Sequence, residues 1–485
     1  MTPPNERSSA KMIPITPVPA EGEVEMVSLY QAHQKIYPRS VQGVFAQWRW
    51  IMVVITQLVF YGLPWLEWGQ RQAVLFDLGA RRFYIFGLVL YPQDFIYLTA
   101  LLVISALSLF LFTAVAGRLW CGFACPQTVY TEIFIWIERQ FEGDRSARMR
   151  LDASPLSFNK VWRKSGKQFA WIMFSLWTGF SFVGYFTPIR ELSASVLSLG
   201  FGPWEIFWIL FYSFATYGNA GFMREQVCKY MCPYARFQSA MFDKDTLIVT
   251  YDEARGEPRG ARSKKADPKA LGLGACVDCT LCVQVCPTGI DIRKGLQYEC
   301  IGCGACVDVC DNVMDKVGYE RGLIKFSTQN AMDKGWNWGQ TVRRIFRPRV
   351  LVYTAVLWAI IIGVGLSLWA RDPFKVDIVR DRATMARIVA GGKIENVYRL
   401  QIMNAAEQTL SFQLQVDGLP GLSLATEPQV DVGATESRWV SVRLQLPYDA
   451  APAGSHPIHF RIESRSTDGQ SVGQLSEKTV FLVPR

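Results

Sequence analysis

The stretch CVDCTLCVQVCPTGIDIRKGLQYECIGCGACVDVC, Cys276–Cys310, decides how the rest of the chain is read. It holds two runs of C-x2-C-x2-C-x3-C: Cys276, Cys279, Cys282 and Cys286, then Cys300, Cys303, Cys306 and Cys310. Such runs hold [4Fe–4S] clusters in bacterial ferredoxins, where the fourth cysteine of each run ligates the other cluster. Three thiolates on a tight loop cap three corners of a cubane, and a cysteine from elsewhere supplies the last. The predicted sets are therefore Cys276, Cys279, Cys282 and Cys310 for one cluster, and Cys300, Cys303, Cys306 and Cys286 for the other. Gly302 and Gly304 let the backbone bend around the sulfurs, and Pro287 turns the chain away. The second run ends in Cys-Asp rather than Cys-Pro, which alters the turn and not the ligation. Structural zinc also uses C-x2-C pairs, but eight cysteines in this double run speak for electron transfer.

Outward from this core the chain is apolar in blocks. Phe95–Ala116, Gln168–Ile189 and Val350–Ala370 carry no charge over 22, 22 and 21 residues, and about 20 apolar residues span a bilayer as a helix. Trp48–Trp68 and Pro203–Phe222 match them in length, with one or two charges near an end. The expectation is a multi-domain membrane protein with about five spans. Residues 1–47 form a polar, Pro-rich and largely disordered lead, and 48–243 hold four transmembrane helices. Residues 244–349 hold a linker and the ferredoxin domain, and 350–370 the fifth helix. Within 371–485, alternating runs such as YRLQIMN, LSFQLQV and RWVSVRLQL predict a small all-β sandwich.

Lys and Arg set the expected orientation. Arg118–Lys167 carries nine and Arg224–Arg349 twenty, against three in Glu67–Asp94 and one in Arg190–Gly202. The positive-inside tendency puts the N-terminus and ferredoxin domain on the cytoplasmic side and the C-terminal domain outside. No cleavable signal peptide is expected, and the net charge of +9 is accounted for largely by topology, without nucleic acid. All twelve cysteines fall in the two segments read as cytoplasmic, the reverse of a disulfide framework.

Four cysteines lie outside the ferredoxin runs. WCGFACPQTVY contains Cys121 and Cys125, and VCKYMCPYARF contains Cys228 and Cys232. Each C-x3-C-P pair follows an apolar run and is expected to share one helical face. If the two hairpins pack together, four soft thiolates converge, a set that selects Cu(I), zinc or iron–sulfur species. The bland reading is four inert, buried thiols. Met231 is not expected to contribute, and Asp94 and Glu205 read as helix-start residues. The three histidines, His33, His456 and His459, all lie outside the spans, which excludes a bis-histidine haem. No C-x-x-C-H, P-loop or dinucleotide fingerprint occurs.

WCGFACPQTVYTEIFIWIER, REQVCKYMCPYARFQSAMFDKDTLIVTYD, the double ferredoxin run, RPRVLVY and ARRFYIFGLVLYPQDF together resemble the cytochrome c oxidase accessory protein family CcoG (FixG/RdxA). The resemblance covers roughly residues 30–485. It implies a polyferredoxin-like protein of the bacterial inner membrane with a periplasmic C-terminal immunoglobulin-like domain. It further implies reduction of Cu(II) to Cu(I) and a role in assembling a cbb-type haem–copper oxidase. The cofactors would be two [4Fe–4S] clusters, with copper as substrate. Cys121, Cys125, Cys228 and Cys232 would be the catalytic or copper-binding residues. Implied partners are oxidase subunits or a copper chaperone or transport ATPase; the electron donor stays open. Two other classes remain: a quinol-oxidising electron-transfer subunit of a respiratory chain, and an oxidase assembly scaffold with redox-sensing clusters.

Overall fold

The first apolar run folds as α1 (Val44–Gly62), beginning four residues before the expected Trp48. The computed structural model describes residues 35–198, 200–263, 271–381, 386–466 and 468–484. Most of the N-terminal lead, His33 included, therefore lies outside the described residues. The uncharged 95–116 run is α2 (Phe95–Ala116). It stops at Gly117, whose φ of +54° brings the chain against the Leu247 carbonyl, 3.0 Å from where a Cβ would sit.

A five-residue helix, α3 (Leu119–Phe123), and α4 (Pro126–Glu142) follow. Then come α5 (Phe158–Val183) and α6 (Pro203–Thr216). α5 starts at Phe158 rather than Gln168 because the hydroxyl of Ser157 caps its first turn, accepting from the Lys160 N–H. Its close approach to α6 depends on Gly179, where a Cβ would lie 2.4 Å from the Ile209 carbonyl. Among the described residues, three helices are long and apolar enough to cross a membrane: Val44–Trp65, Pro92–Ala116 and Pro348–Trp369. The bent pair Ile189–Ser198 and Pro203–Met223 passes the same test only when taken together.

The loop between the first two spans holds a small sheet that hydropathy gave no hint of. β1 (Val74–Asp77), β2 (Arg82–Ile85) and β3 (Leu88–Leu90) pair antiparallel. After α6 the chain reaches the ferredoxin unit, closed by β4 (Ile248–Tyr251) and β5 (Ile324–Ser327), with α7 (Ala305–Val317) between them. The last apolar helix, α8 (Pro348–Trp369), leads to the C-terminal domain.

That domain is a two-sheet sandwich. Strands β6 (Phe374–Arg380), β7 (Arg387–Val389), β8 (Lys393–Asn404), β9 (Leu410–Asp417), β10 (Ser423–Leu424), β11 (Gln429–Val432), β12 (Ser437–Pro447), β13 (Gly454–Ser466) and β14 (Ser471–Val483) follow in sequence. One sheet runs β10–β12–β8–β6, with β7 also on β8, and the other β11–β9–β13–β14. Period-two alternation points Leu400, Ile402, Phe412, Leu444 and Phe460 inward, all fully buried. Each such side chain contributes about 1.5–3 kcal/mol. His456 and His459 stand on β13; His456 contacts the Pro452 carbonyl.

The sandwich docks on the sheet β1–β3. Leu75, Tyr84, Val89, Tyr91 and Met403 form a shared buried cluster, and the Tyr91 hydroxyl donates to the Asn404 carbonyl at 2.8 Å. Asp94 does more than start a helix. It accepts from the Tyr91 N–H at 3.0 Å and pairs with Arg371 at 2.6 Å and with Lys375. Glu205 keeps the expected role, accepting from the Gly202 N–H at 2.8 Å.

Candidate iron–sulfur and thiol centre

The two cysteine runs adopt the same loop. In the second, left-handed backbone falls on Gly302 and Gly304; in the first it falls on the equivalent Asp278 and Thr280, at φ of +51° and +57°. A β-branched residue there stores about 1–3 kcal/mol of strain. Arg293 braces the first loop by donating to Asp278 at 2.5 Å and to Asp291 at 2.7 Å. The Arg293 guanidinium holds the Asp291 carboxyl below its usual range.

One enclosed cavity is lined by Cys286, Cys300, Cys303 and Cys306, and also by Cys282, which lines both cavities. The other is lined by Cys276, Cys279, Cys282 and Cys310. The fourth cysteine of each run thus faces the other run's loop, as the crossed ligand sets require. Among the described residues, no three His, Cys, Asp or Glu side chains converge on a single metal ion. A cubane fits better than one ion, because the cluster itself fills the space between its thiolates. Burial pushes the Cys300 and Cys310 thiols up to about 12, so ionisation there needs a bound metal's positive charge.

The membrane pairs are built differently from the expected single helical face. Cys121 lies in α3, Ala124 breaks the helix, and Cys125 precedes Pro126, the first residue of α4. In the second pair the chain after α6 winds in wider π turns, with the Cys232 N–H donating to the Val227 carbonyl at 2.8 Å. Cys232 again precedes a helix that starts with proline, Pro233–Phe237. The proline of each C-x3-C-P is therefore a helix-start residue, where its missing N–H costs nothing. The two pairs meet: Cys121 lies within electrostatic reach of Cys125, Cys228 and Cys232, with Arg118 beside them. Met231 is exposed.

The thiol pairs sit against the ferredoxin domain. A Cβ on Gly122 would lie 2.8 Å from the Cys303 Cα, and one on Gly302 3.2 Å from the Arg118 backbone. Arg118 donates to the Tyr298 carbonyl at 2.5 Å and the Cys300 carbonyl at 3.4 Å. Cys121 belongs to the same buried cluster as Cys282 and Cys303. The Asp308 carboxylate of α7 caps the start of α1, accepting from Phe45 at 3.1 Å and Ala46 at 2.8 Å. Sequence reading missed this junction. Its one trace was Gly122, next to Cys121 in α3, and a glycine admits many readings.

Comparison with known proteins follows this division. Residues 98–142 match a family model described as "4Fe-4S binding domain", 223–329 a "4Fe-4S dicluster domain", and 364–484 an "IG-like fold at C-terminal of FixG". Over 436 residues the chain is 38% identical to nitrogen fixation protein FixG of Rhizobium meliloti (strain 1021), covering 83% of this chain and 82% of that protein. Over 443 residues it is 40% identical to protein RdxA of Cereibacter sphaeroides, covering 88% and 92%. A crystal structure of a FixG-related protein from Vibrio parahaemolyticus aligns at 20% identity and a TM-score of 0.20, covering 23% of this chain and 97% of that one.

Proposed function

The chain belongs to the FixG/RdxA family of membrane iron–sulfur electron-transfer proteins, and from that premise we propose that it reduces Cu(II) to Cu(I) in support of cbb-type oxidase assembly. A bound [4Fe–4S] cluster stores and passes one electron, and each cupric ion takes up one electron. The reading is carried by the junction at Gly122, which sets Cys121 against the backbone of the cluster ligand Cys303. Cys121, Cys125, Cys228 and Cys232 are the residues proposed to receive copper, because soft thiolates favour the cuprous product. The eight ferredoxin cysteines hold the relay, and Arg118 orients the loop between relay and thiols. The proposed location is the bacterial inner membrane, with the ferredoxin domain cytoplasmic and the immunoglobulin-like domain periplasmic, as the Lys and Arg distribution favours. Oxidase subunits, a copper chaperone or a transport ATPase would receive the product.

The test is Cu(I) formation by anaerobically reduced protein, followed with a chromogenic chelator. A variant with Cys121, Cys125, Cys228 and Cys232 changed to serine and both clusters intact should lose the activity. Equal activity in that variant would remove the four thiols from the reaction.

A further inference from the structure

The copper reading leaves the source of electrons open. We infer that a cavity between α1, α4, α5 and α6 binds the ring of a quinol dissolved in the bilayer. The inference rests on the copper reading only for where the electrons end, and the binding stands without it.

The cavity holds about 280 Å3 and is partly open. That is near the lower end of ligand pockets, about 300–1,000 Å3, and suits one ring whose tail runs into lipid. Phe60, Val129 and Phe182 give it apolar walls. Three polar groups converge on it from three helices: Gln57 of α1, Tyr130 of α4 and Thr178 of α5. The Gln57 Oε1 is enclosed and has no hydrogen-bond partner. Such an acceptor calls for a donor, and a quinol O–H is one. The Tyr130 hydroxyl shares hydrogen bonds with Gln57, Thr178 and Tyr61, and the Thr178 hydroxyl is 2.8 Å from that of Tyr61, so of these groups only the Gln57 Oε1 is left over. An acyl chain, the competing occupant, would use none of these groups.

Position supports the same occupant. Ala124 and Pro126, the neighbours of Cys125, form the wall of the cavity nearest the thiol pairs. A larger cavity of about 550 Å3, lined by Asp77, Trp204, Glu205 and Trp208, has no cysteine or cysteine neighbour in its wall. Phe182 and Tyr212, with ring centroids 3.9 Å apart, border both spaces. Oxidation breaks the two O–H bonds of the quinol and leaves the quinone. Two electrons leave on the Cys125 side and two protons pass to water, so one quinol balances the reduction of two cupric ions.

Equilibrium dialysis of full-length, cluster-loaded, dithionite-reduced protein against labelled decylubiquinol, kept anaerobic and with copper absent, tests this. Binding should weaken about tenfold in Gln57→Leu and in Tyr130→Phe, and Val129→Trp, which fills the space, should abolish it. Dithionite should bleach the visible absorbance of all three variants as in the wild type, showing that they fold. Unchanged affinity in the variants, or displacement of the probe by phospholipid alone, would overturn the site. Quinol binding without copper reduction would sink the copper reading and leave this one. Copper reduction by dithionite-reduced protein that binds no quinol would do the reverse.

Discussion

The ferredoxin cysteines and the membrane cysteines are the same residue type held together by opposite means. Eight thiols of the ferredoxin unit lie between residues 276 and 310, on two loops that each follow a local spacing rule. The four membrane thiols come from positions 121–125 and 228–232, and meet only because α2, α3 and the turns after α6 converge. The first arrangement is short-range and its chemistry can be read off the spacing. The second closes a long loop, so its geometry depends on helix packing that no local pattern encodes.

The largest effect should come from breaking the crossed ligation on which the ferredoxin side of this contrast rests. Cys286→Ser should remove about half of the bound iron. Adding Cys303→Ser should remove no more, since both residues face one cavity, whereas adding Cys276→Ser should remove the remainder. Iron analysis of the two double variants decides it, and the opposite pattern would assign each run to its own cluster.

Gly122→Val strikes at the meeting of the two regions. Its side chain would press on the Cys303 and Gly302 backbone, costing about 1–3 kcal/mol by overpacking. Copper reduction should fall while the cluster absorbance stays. Unaltered activity would mean that electrons do not cross at this junction.

The smallest effect sharpens the difference between the two ferredoxin loops. Thr280→Gly relieves a left-handed threonine at the position where the second run already has Gly304. It should stabilise the first loop by about 1 kcal/mol, read as a higher temperature for thermal loss of the visible absorbance.

Particular residues show where sequence reasoning stopped. The two cysteine runs were legible because spacing fixes which thiols share a loop, and the two cavities they line fit the crossed sets expected from it. The sandwich strands were legible because burial on one face imposes period two. Asp94 looked like a helix-start residue, and only the docked C-terminal domain shows it holding Arg371 and Lys375. The shared-face reading of the C-x3-C-P pairs failed because it assumed an unbroken α-helix, whereas Ala124 and the π turns break it. The helix α5 began early because Ser157 provided a cap that hydropathy does not weigh.

The sequence by itself determined the cysteine runs, three of the five expected apolar helices, the sandwich and the family, each a matter of spacing, period or composition within a short window. Gln168–Ile189 is not among the three described helices long and apolar enough to cross a membrane. Tertiary structure alone decided that Cys121 lies against Cys303, that Asp308 caps α1, and that the sheet β1–β3 carries the C-terminal domain. Those contacts join residues far apart in the chain, and they depend on shape and on single side chains meeting, which a linear pattern does not record.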